Sequence, residues 1–397
     1  MRVSGVAFSL LAWRSKHAGR LPNPRGAVDL TGRPDASEIM QTARSILVLD
    51  PASSGCFHDL ESAGFQVTAE HGMSDADLDR VLPDYDAVVV RSANRVTRQM
   101  LVNSPRVAVV GRAGSGVDNI DLDAAFELGV PVVNAPTGNA GSVAELVLGL
   151  MLGVSRSIPR AHDTMRRCEW AKKELSGRTI KGKTLGIVGF GSVGQEASAP
   201  LARLAIALGM VVMIAKEIRP PPSGDQEDHR SRSKRDVLAS GAGVTMPPLL
   251  LDELLSKSDF LSLHIPLTAD TADLIAEREL ALMKPSAVVI NAARGGIVNE
   301  KALLRALEEG RLGGAALDVF ASEKAPLGDD VVSLCRLPNV VCTPHIGGST
   351  EEAGECVLAE VCGAVVEGLN GTLPPQRVVN GNPDTKLRLA RVQAKVV

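Results

Sequence analysis

The 397-residue sequence is poor in aromatic side chains, which make up 3% of the chain. This is too few for the base-stacking surfaces that bind single-stranded nucleic acid. Basic and acidic residues nearly balance, at 43 against 46. We therefore expect no nucleic-acid partner. The 6 cysteines include no Cys-x-x-Cys pair, so neither a disulfide framework nor a metal site is expected. No apolar run has the length of a membrane span, and no membrane partner is expected.

The N-terminal segment has a different charge pattern from the rest of the chain. Residues 1–28 contain 5 basic residues, no acidic residue and a short apolar stretch. This pattern resembles an organelle transit peptide, and a disordered extension is the alternative. We predict an N-terminal extension over residues 1–44. It implies a plastid or mitochondrial location if it is a transit peptide, and a cytoplasmic one otherwise.

From Ser45 onward, short apolar runs alternate with helix-length segments. Runs of this kind are typical of parallel strands that are buried on both faces, which predicts a doubly wound α/β architecture. The predicted strands are residues 46–49, 87–90, 107–110, 132–133, 185–188, 211–214, 260–263, 287–290, 315–317 and 340–341.

A glycine motif, Gly189-x-Gly191-x-x-Gly194, lies between a predicted strand and a predicted helix. The first glycine permits a tight turn, the second lets a pyrophosphate approach the backbone, and the third allows the helix to pack on the strand. With the next strand at residues 211–214, the motif predicts a dinucleotide site.

The end of that next strand leaves the choice of cofactor open. Glu217 suits the ribose hydroxyl of NAD, although it follows Gly194 later than is usual. Lys216 and Arg219 flank Glu217, and either cation suits the 2′-phosphate of NADP. NAD and NADP are both compatible with these residues.

Three later strands end next to Arg294, Glu323 and His345. In an open α/β sheet the carboxyl ends of the strands face one crevice, so these groups should converge. Arginine can bind a carboxylate with two hydrogen bonds, histidine can take up a proton near neutral pH, and a carboxylate can orient the histidine. The set is what oxidation of an alcohol next to a carboxylate requires, whereas each residue alone could be an ordinary surface or hydrogen-bonded group.

Two further segments have unusual composition. Residues 142–154 are apolar on nearly every side of a helix, which favours cover by a second subunit, and complete burial inside one chain is the alternative. Residues 219–236 contain prolines and mixed charges, which predicts a solvated insertion loop.

Several motifs resemble the D-isomer-specific 2-hydroxyacid dehydrogenase family. They run from about Ser45 to Asn380 and include Gly-Arg-Ala-Gly-Ser-Gly-Val-Asp-Asn at 111–119, Asn-Ala-Pro-Thr-Gly-Asn at 134–139 and Thr-Pro-His-Ile-Gly-Gly-Ser-Thr at 343–350. The resemblance implies two α/β domains, with a Rossmann-type doubly wound parallel sheet inserted into a smaller flavodoxin-like substrate domain. The expected boundaries are 45–141 and 343–380 for the substrate domain, 142–342 for the dinucleotide domain and 381–397 for a C-terminal tail.

The resemblance also implies the site residues. Arg294, Glu323 and His345 match the family's catalytic positions. Cofactor contacts are expected at Ser115, Gly189, Gly191, Ser192, Val193, Gly194, Lys216, Glu217, Ile265, Ala292, Asp318 and Gly347. Substrate contacts are expected at Arg91, Ser92, Arg95, Arg112 and Asn139. Lys216 stands where the family has a ribose-binding Asp, so the expected cofactor is NAD with NADP left open.

The motif at 111–119 is most similar to family members that oxidise 3-phospho-D-glycerate. We therefore expect a homodimer that acts on a small phosphorylated 2-hydroxy acid. Only 17 residues follow Asn380, so the resemblance implies a short form without the ACT domain of longer relatives. The alternatives are an NADPH-dependent hydroxypyruvate or glyoxylate reductase and an NAD-responsive, corepressor-like binding module.

Overall fold

The structure is a computed structural model that describes residues 44–49, 54–189, 194–217, 249–381 and 383–385. All of these residues belong to one compact unit. Several predictions fall outside the described residues and stay predictions. These are the N-terminal extension, the loop 219–236, most of the tail 381–397, the residues Gly191, Ser192 and Val193, and the side chains of Lys216 and Glu217.

A five-stranded parallel sheet occupies the first part of the chain. Its strands are β1 (Ser45–Val48), β2 (Gln66–Ala69), β3 (Ala87–Val90), β4 (Val109–Arg112) and β5 (Val132–Asn134). The spatial order is β2-β1-β3-β4-β5, and every neighbouring pair is parallel. This is the flavodoxin-like order that was predicted for the substrate domain.

A seven-stranded parallel sheet follows. Its strands are β6 (Thr184–Val188), β7 (Val211–Glu217), β8 (Leu249–Leu250), β9 (Phe260–Leu263), β10 (Val288–Asn291), β11 (Gly314–Leu317) and β12 (Val340–Cys342). The order β12-β11-β10-β9-β6-β7-β8 is the Rossmann order with one added edge strand. The predicted α/β class with two parallel sheets is confirmed.

Helices cover both faces of both sheets. They are α1 (Ser54–Ser62), α2 (Asp75–Val81), α3 (Arg98–Asn103), α4 (Leu122–Glu127), α5 (Ala140–Ser155), α6 (Ile158–Arg166), α7 (Gly194–Ala207), α8 (Leu251–Lys257), α9 (Glu277–Leu282), α10 (Glu300–Glu308), α11 (Asp329–Arg336) and α12 (Glu351–Asn370). Two apolar cores lie on opposite faces of each sheet. Burial on both faces explains why the strands are continuous apolar runs.

The chain crosses between the sheets twice. It leaves β5 and enters α5, which packs on β10, β11 and β12, and it returns after β12 to α12, which packs on β3, β4 and β5. Gly368 of α12 lies so close to Val109 that a Cβ would be 2.6 Å from a valine methyl carbon. We call residues 44–139 and 351–381 the first lobe and residues 140–350 the second lobe.

The local predictions differ from the structure in three places. Nine of the ten predicted strands agree with the structure to within two residues at each end, β7 runs three residues past the predicted 211–214, and β2 and β8 were missed. The alternative that the 142–154 helix is wholly buried within the chain is wrong, because Gly141, Glu145 and Gly149 of α5 are exposed. Within the described residues, no single helix is both long and apolar enough to span a membrane, although α5 and α6 meet those criteria when taken together across a 66° bend.

Candidate active site

Arg294, Glu323 and His345 follow the carboxyl ends of three adjacent strands. Asn291 at the end of β10 pairs with Leu317 of β11, which pairs in turn with Cys342 at the end of β12. Gly295 lies against the backbone of Phe320, where no Cβ would fit, and this packs the β10 loop onto the β11 loop. The parallel sheet therefore presents the three side chains at one edge, as the strand pattern predicted.

Glu323 and His345 form a hydrogen-bonded pair. His345 Nδ1 is 2.9 Å from Glu323 Oε2, and each side chain is 41% exposed. The second carboxylate oxygen of Glu323 accepts a 3.4 Å hydrogen bond from Phe320 N, which ties the carboxylate to its own loop. Because Glu323 occupies Nδ1, the Nε2 atom is the one left to exchange a proton with a substrate.

Asp318 holds the loop that carries His345. Its fully buried carboxylate accepts hydrogen bonds from Thr343 Oγ1 at 2.6 Å, Ile346 N at 2.9 Å and Gly347 N at 2.8 Å. Its carbonyl oxygen accepts a 2.7 Å bond from His345 N. His345 has a φ of 54°, a conformation that is costly for a residue with a side chain. The Asp318 bonds on both sides of His345 compensate for that cost.

Arg294 reaches across to the first lobe. Its Nε donates a 2.9 Å hydrogen bond to Asp118 Oδ2, and its Nη1 donates a 2.7 Å bond to Ala293 O. The backbone of its loop is fixed by Asn291, whose side chain donates to Arg294 O at 2.8 Å and accepts from Ala293 N at 3.1 Å. Sequence reasoning missed both Asp118 and Asn291. The sequence did contain one signal that could have identified Asp118: it is the single acidic residue in the glycine-rich segment 111–119.

Three arginines create a positive field between the lobes. Burial first, and then the positive charges of Arg294 and Arg91, lower the pKa of Arg112 to about 10, while Asp118 acts in the opposite direction. Arg112 Nη1 donates to Ala113 O at 2.9 Å, but its buried Nε has no hydrogen-bond partner within the described part of the chain. Buried donors without a partner are rare, so this one is an unusual feature of the described structure.

The other predicted substrate residues are less closely joined to this field. Ser92 and Arg95 are exposed, and the backbone N of Arg95 donates to Asp75 Oδ1 at 3.0 Å. Asn139 lies at the start of α5, where its Oδ1 accepts a 2.9 Å bond from Ser115 Oγ. Ser115, predicted as a cofactor contact, is therefore linked to a predicted substrate contact.

The described part of the glycine motif fits the close approach of a dinucleotide. Gly189 has a φ of 101°, and a Cβ there would overlap His264 O and lie 2.6 Å from Ile265 Cγ2. Its carbonyl accepts a 2.8 Å hydrogen bond from Ser198 Oγ of α7, which fixes the strand-to-helix turn. Gly194 begins α7, whose first N–H groups are a ready site for phosphates.

The remaining predicted cofactor residues lie along the same sheet edge. Ile265 follows β9 and is buried, Ala292 follows β10 and is half-buried, and Gly347 is buried beside Asp318. These residues offer a ligand only backbone groups and apolar surface. Such a lining suits a nucleotide better than a metal ion. Among the described residues, no group of three or more His, Cys, Asp or Glu side chains could hold a metal ion.

A family model described as the NAD-binding domain of D-isomer-specific 2-hydroxyacid dehydrogenases matches residues 148–347. This chain belongs to that family. The D-3-phosphoglycerate dehydrogenase of Methanocaldococcus jannaschii is 40% identical over 340 residues, which is 84% of this chain and 59% of the relative. The hydroxypyruvate reductase of Thermotoga maritima is 39% identical over 289 residues, which is 72% of this chain and 86% of the relative.

A solved structure of a family member shows the same architecture. The D-lactate dehydrogenase of Aquifex aeolicus, complexed with NAD and lactic acid, has a TM-score of 0.68 at 25% identity and covers 85% of this chain and 99% of its own. The chain spans about 59% of the length of the Methanocaldococcus relative. Membership of the dehydrogenase family and a nicotinamide-dinucleotide domain are therefore shown for this chain.

Proposed function

We propose that this protein oxidises 3-phospho-D-glycerate to 3-phosphohydroxypyruvate with a nicotinamide cofactor, the first step of serine biosynthesis. The main support is the His345–Glu323 pair at 2.9 Å, on the same sheet edge as Arg294. Several relatives near 40% identity are D-3-phosphoglycerate dehydrogenases, which agrees with this substrate.

Each side chain has a defined task in the proposed reaction. His345 Nε2 takes the proton of the C2 hydroxyl, and the Glu323 carboxylate stabilises the resulting imidazolium. Arg294 holds the substrate carboxylate through its Nη atoms. A bound nicotinamide supplies the acceptor for the C2 hydride. Gly189, Gly194, Ile265 and Ala292 would hold the cofactor.

A phosphorylated substrate is favoured by charge. Arg91 and Arg294 are both close enough to Arg112 to lower its pKa, so three guanidinium groups lie near one another. A carboxylate and a phosphate together supply up to three negative charges. The second candidate is an NADPH-dependent hydroxypyruvate reductase. It is supported by the Thermotoga relative and by the cations Lys216 and Arg219 on either side of Glu217 in the sequence.

A panel of four substrates tests this proposal. Initial rates of the full chain are followed by nicotinamide absorbance with D-3-phosphoglycerate, D-glycerate, hydroxypyruvate and glyoxylate, each with the NAD and the NADP form of the cofactor. We expect kcat/KM for D-3-phosphoglycerate to exceed that for D-glycerate by about 100-fold, the effect of charge-assisted phosphate bonds. An Arg112→Gln variant should reduce this ratio.

The opposite pattern has a clear meaning. Activity confined to the unphosphorylated acids would contradict the substrate assignment and favour the reductase. No turnover of any of the four would favour a binding module that keeps the fold without the reaction.

We also propose that two copies associate through α5 and α6. Exposed apolar side chains lie on and after α6: Ile158 is 52% exposed, Met165 54% and Trp170 80%. Gly141 and Gly149 of the neighbouring α5 are exposed, and no atom would contact a Cβ at either position, so a partner helix could approach closely. A partner copy that covered these side chains would remove their apolar surface from water.

A further inference from the structure

Asp118 joins the two lobes of the protein. It lies in the loop after β4 of the first lobe, whereas Arg294 lies in the loop after β10 of the second lobe. The 2.9 Å hydrogen bond from Arg294 Nε to Asp118 Oδ2 connects residues that are 176 positions apart in the chain. This hydrogen bond therefore forms only when the two lobes lie in the right position relative to each other.

The bond to Asp118 decides which edge of Arg294 is available. Nε is used by Asp118, and one N–H of Nη1 is used by Ala293 O. A guanidinium group has five N–H donors in a fixed plane. Three donors remain, one on Nη1 and two on Nη2, and the edge opposite Nε lies between these two atoms. That edge can take a carboxylate with two parallel hydrogen bonds.

Gly116 supports the same orientation. A Cβ on Gly116 would overlap Arg294 Nη2 and would lie 2.9 Å from Asp118 Oδ2. The guanidinium group thus lies directly on the backbone of the 114–118 loop, with Asp118 at one side. A residue with a side chain at position 116 would push Arg294 away from this surface.

Charge provides the third argument. The cations Arg294 and Arg91 both lower the pKa of Arg112, so each of them repels the Arg112 guanidinium group. Asp118 acts in the opposite sense on Arg112 and is bonded to Arg294. Its carboxylate therefore lowers the electrostatic cost of bringing Arg294 of the second lobe up to the arginines of the first lobe.

We infer that Asp118 is a positioning residue: its carboxylate fixes Arg294 Nε across the lobes and turns the Nη edge toward the substrate carboxylate. This inference rests on the proposed role of Arg294 as the carboxylate anchor. It does not depend on whether the substrate carries a phosphate.

Binding of oxamate, an unreactive analogue of a 2-keto acid, tests the inference. Oxamate is titrated into the full chain with bound NADH, and the nicotinamide fluorescence is followed. We expect Asp118→Ala to raise the Kd of oxamate about 10-fold, the effect of losing one charge-assisted hydrogen bond to the anchor. Asp118→Asn, which keeps an acceptor oxygen, should restore part of the affinity. The Kd of NADH and the Tm should stay close to those of the wild type.

A double-mutant cycle with Arg294→Lys separates a positioning role from a general electrostatic one. If Asp118 acts through Arg294, Asp118→Ala should add little to the effect of Arg294→Lys. Asp123→Asn removes one negative charge from an exposed position on α4 and serves as the control, which should bind oxamate normally.

Three results would overturn the inference. They are additive effects in the cycle, an oxamate Kd that is unchanged in Asp118→Ala, or a loss of Tm and NADH binding that parallels the loss of oxamate binding. A wild type that fails to bind oxamate would contradict the anchor role of Arg294 and this inference with it. Normal oxamate behaviour without turnover of D-3-phosphoglycerate would instead refute only the substrate assignment.

Discussion

Replacing Asp318 by Asn should damage both stability and turnover, and the structure gives the size of the first effect. Oδ1 accepts bonds from Thr343 Oγ1 and Ile346 N, and Oδ2 accepts one from Gly347 N. The amide oxygen of Asn can keep the two bonds at the Oδ1 position. Its NH2 group then faces the N–H of Gly347, so a buried donor loses its partner. We expect the free energy of unfolding to fall by about 1–3 kcal/mol.

Turnover should fall as well, because His345 lies between the Thr343 hydroxyl and the Ile346 N–H that the Asp318 carboxylate holds. A small displacement of a proton-accepting group can cost up to about 100-fold in rate, and we expect kcat of Asp318→Asn to drop by about 10- to 100-fold. Urea denaturation gives the stability, and steady-state rates of the folded protein give kcat.

Asp86→Asn is the matched control for this experiment. Asp86 is also a fully buried carboxylate, but it lies just before β3 in the first lobe, where it accepts bonds from Ser45 N and Oγ at the start of β1 and from Arg106. It should lose stability without losing kcat. An Asp318→Asn protein with kcat within about two-fold of wild type would refute the argument, as would an equal loss of kcat in Asp86→Asn.

Four further outcomes are expected. His345→Asn should lower kcat by at least about 100-fold without changing the Kd of NADH in a fluorescence titration, whereas near-normal rates would mean that the proton goes elsewhere. Gly116→Ala should raise the substrate KM with little change in Tm, since the new methyl group displaces the flexible end of Arg294; an unchanged KM would contradict the close packing. Burial lowers the pKa of His264 from 6.5 to about 4 in the folded protein. As the pH falls, the unfolded chain therefore binds a proton at His264 before the folded protein does. The free energy of unfolding should then decrease between about pH 6.5 and pH 4. Between pH 6.5 and 4, His264→Gln should therefore lose about 3 kcal/mol less stability than the wild type in urea titrations; equal pH profiles for the two proteins would refute this. Trp170→Ala should weaken self-association in sedimentation velocity, and an unchanged distribution would move the interface away from α6.

The fold could be predicted well where burial determines composition. The central strands are covered on both faces, so each one is a continuous apolar run that the sequence makes visible. The missed strand β2 lies at a sheet edge and has exposed ends, so Gln66 and Thr68 break the apolar pattern. β8 has only two residues, too few for any periodic signal.

The candidate site was predictable to the extent that it follows local rules. Arg294, Glu323 and His345 each come just after an apolar strand, and a parallel sheet brings such positions to one edge. Asp118 obeys no such rule, because its contact with Arg294 depends on the placement of one lobe against the other. The role of Asp318 in bonding the His345 loop likewise depends on the geometry of backbone N–H groups, which no residue pattern encodes.

The most direct measurement is a crystal structure of the enzyme with NADH and tartronate, a 2-hydroxy diacid that resembles the proposed substrate. The account predicts the hydroxyl oxygen of tartronate at about 3 Å from His345 Nε2, with a carboxylate on the Nη edge of Arg294 and with the Glu323 bond to Nδ1 intact. A hydroxyl group out of hydrogen-bond reach of His345, or a carboxylate bound away from Arg294, would contradict it.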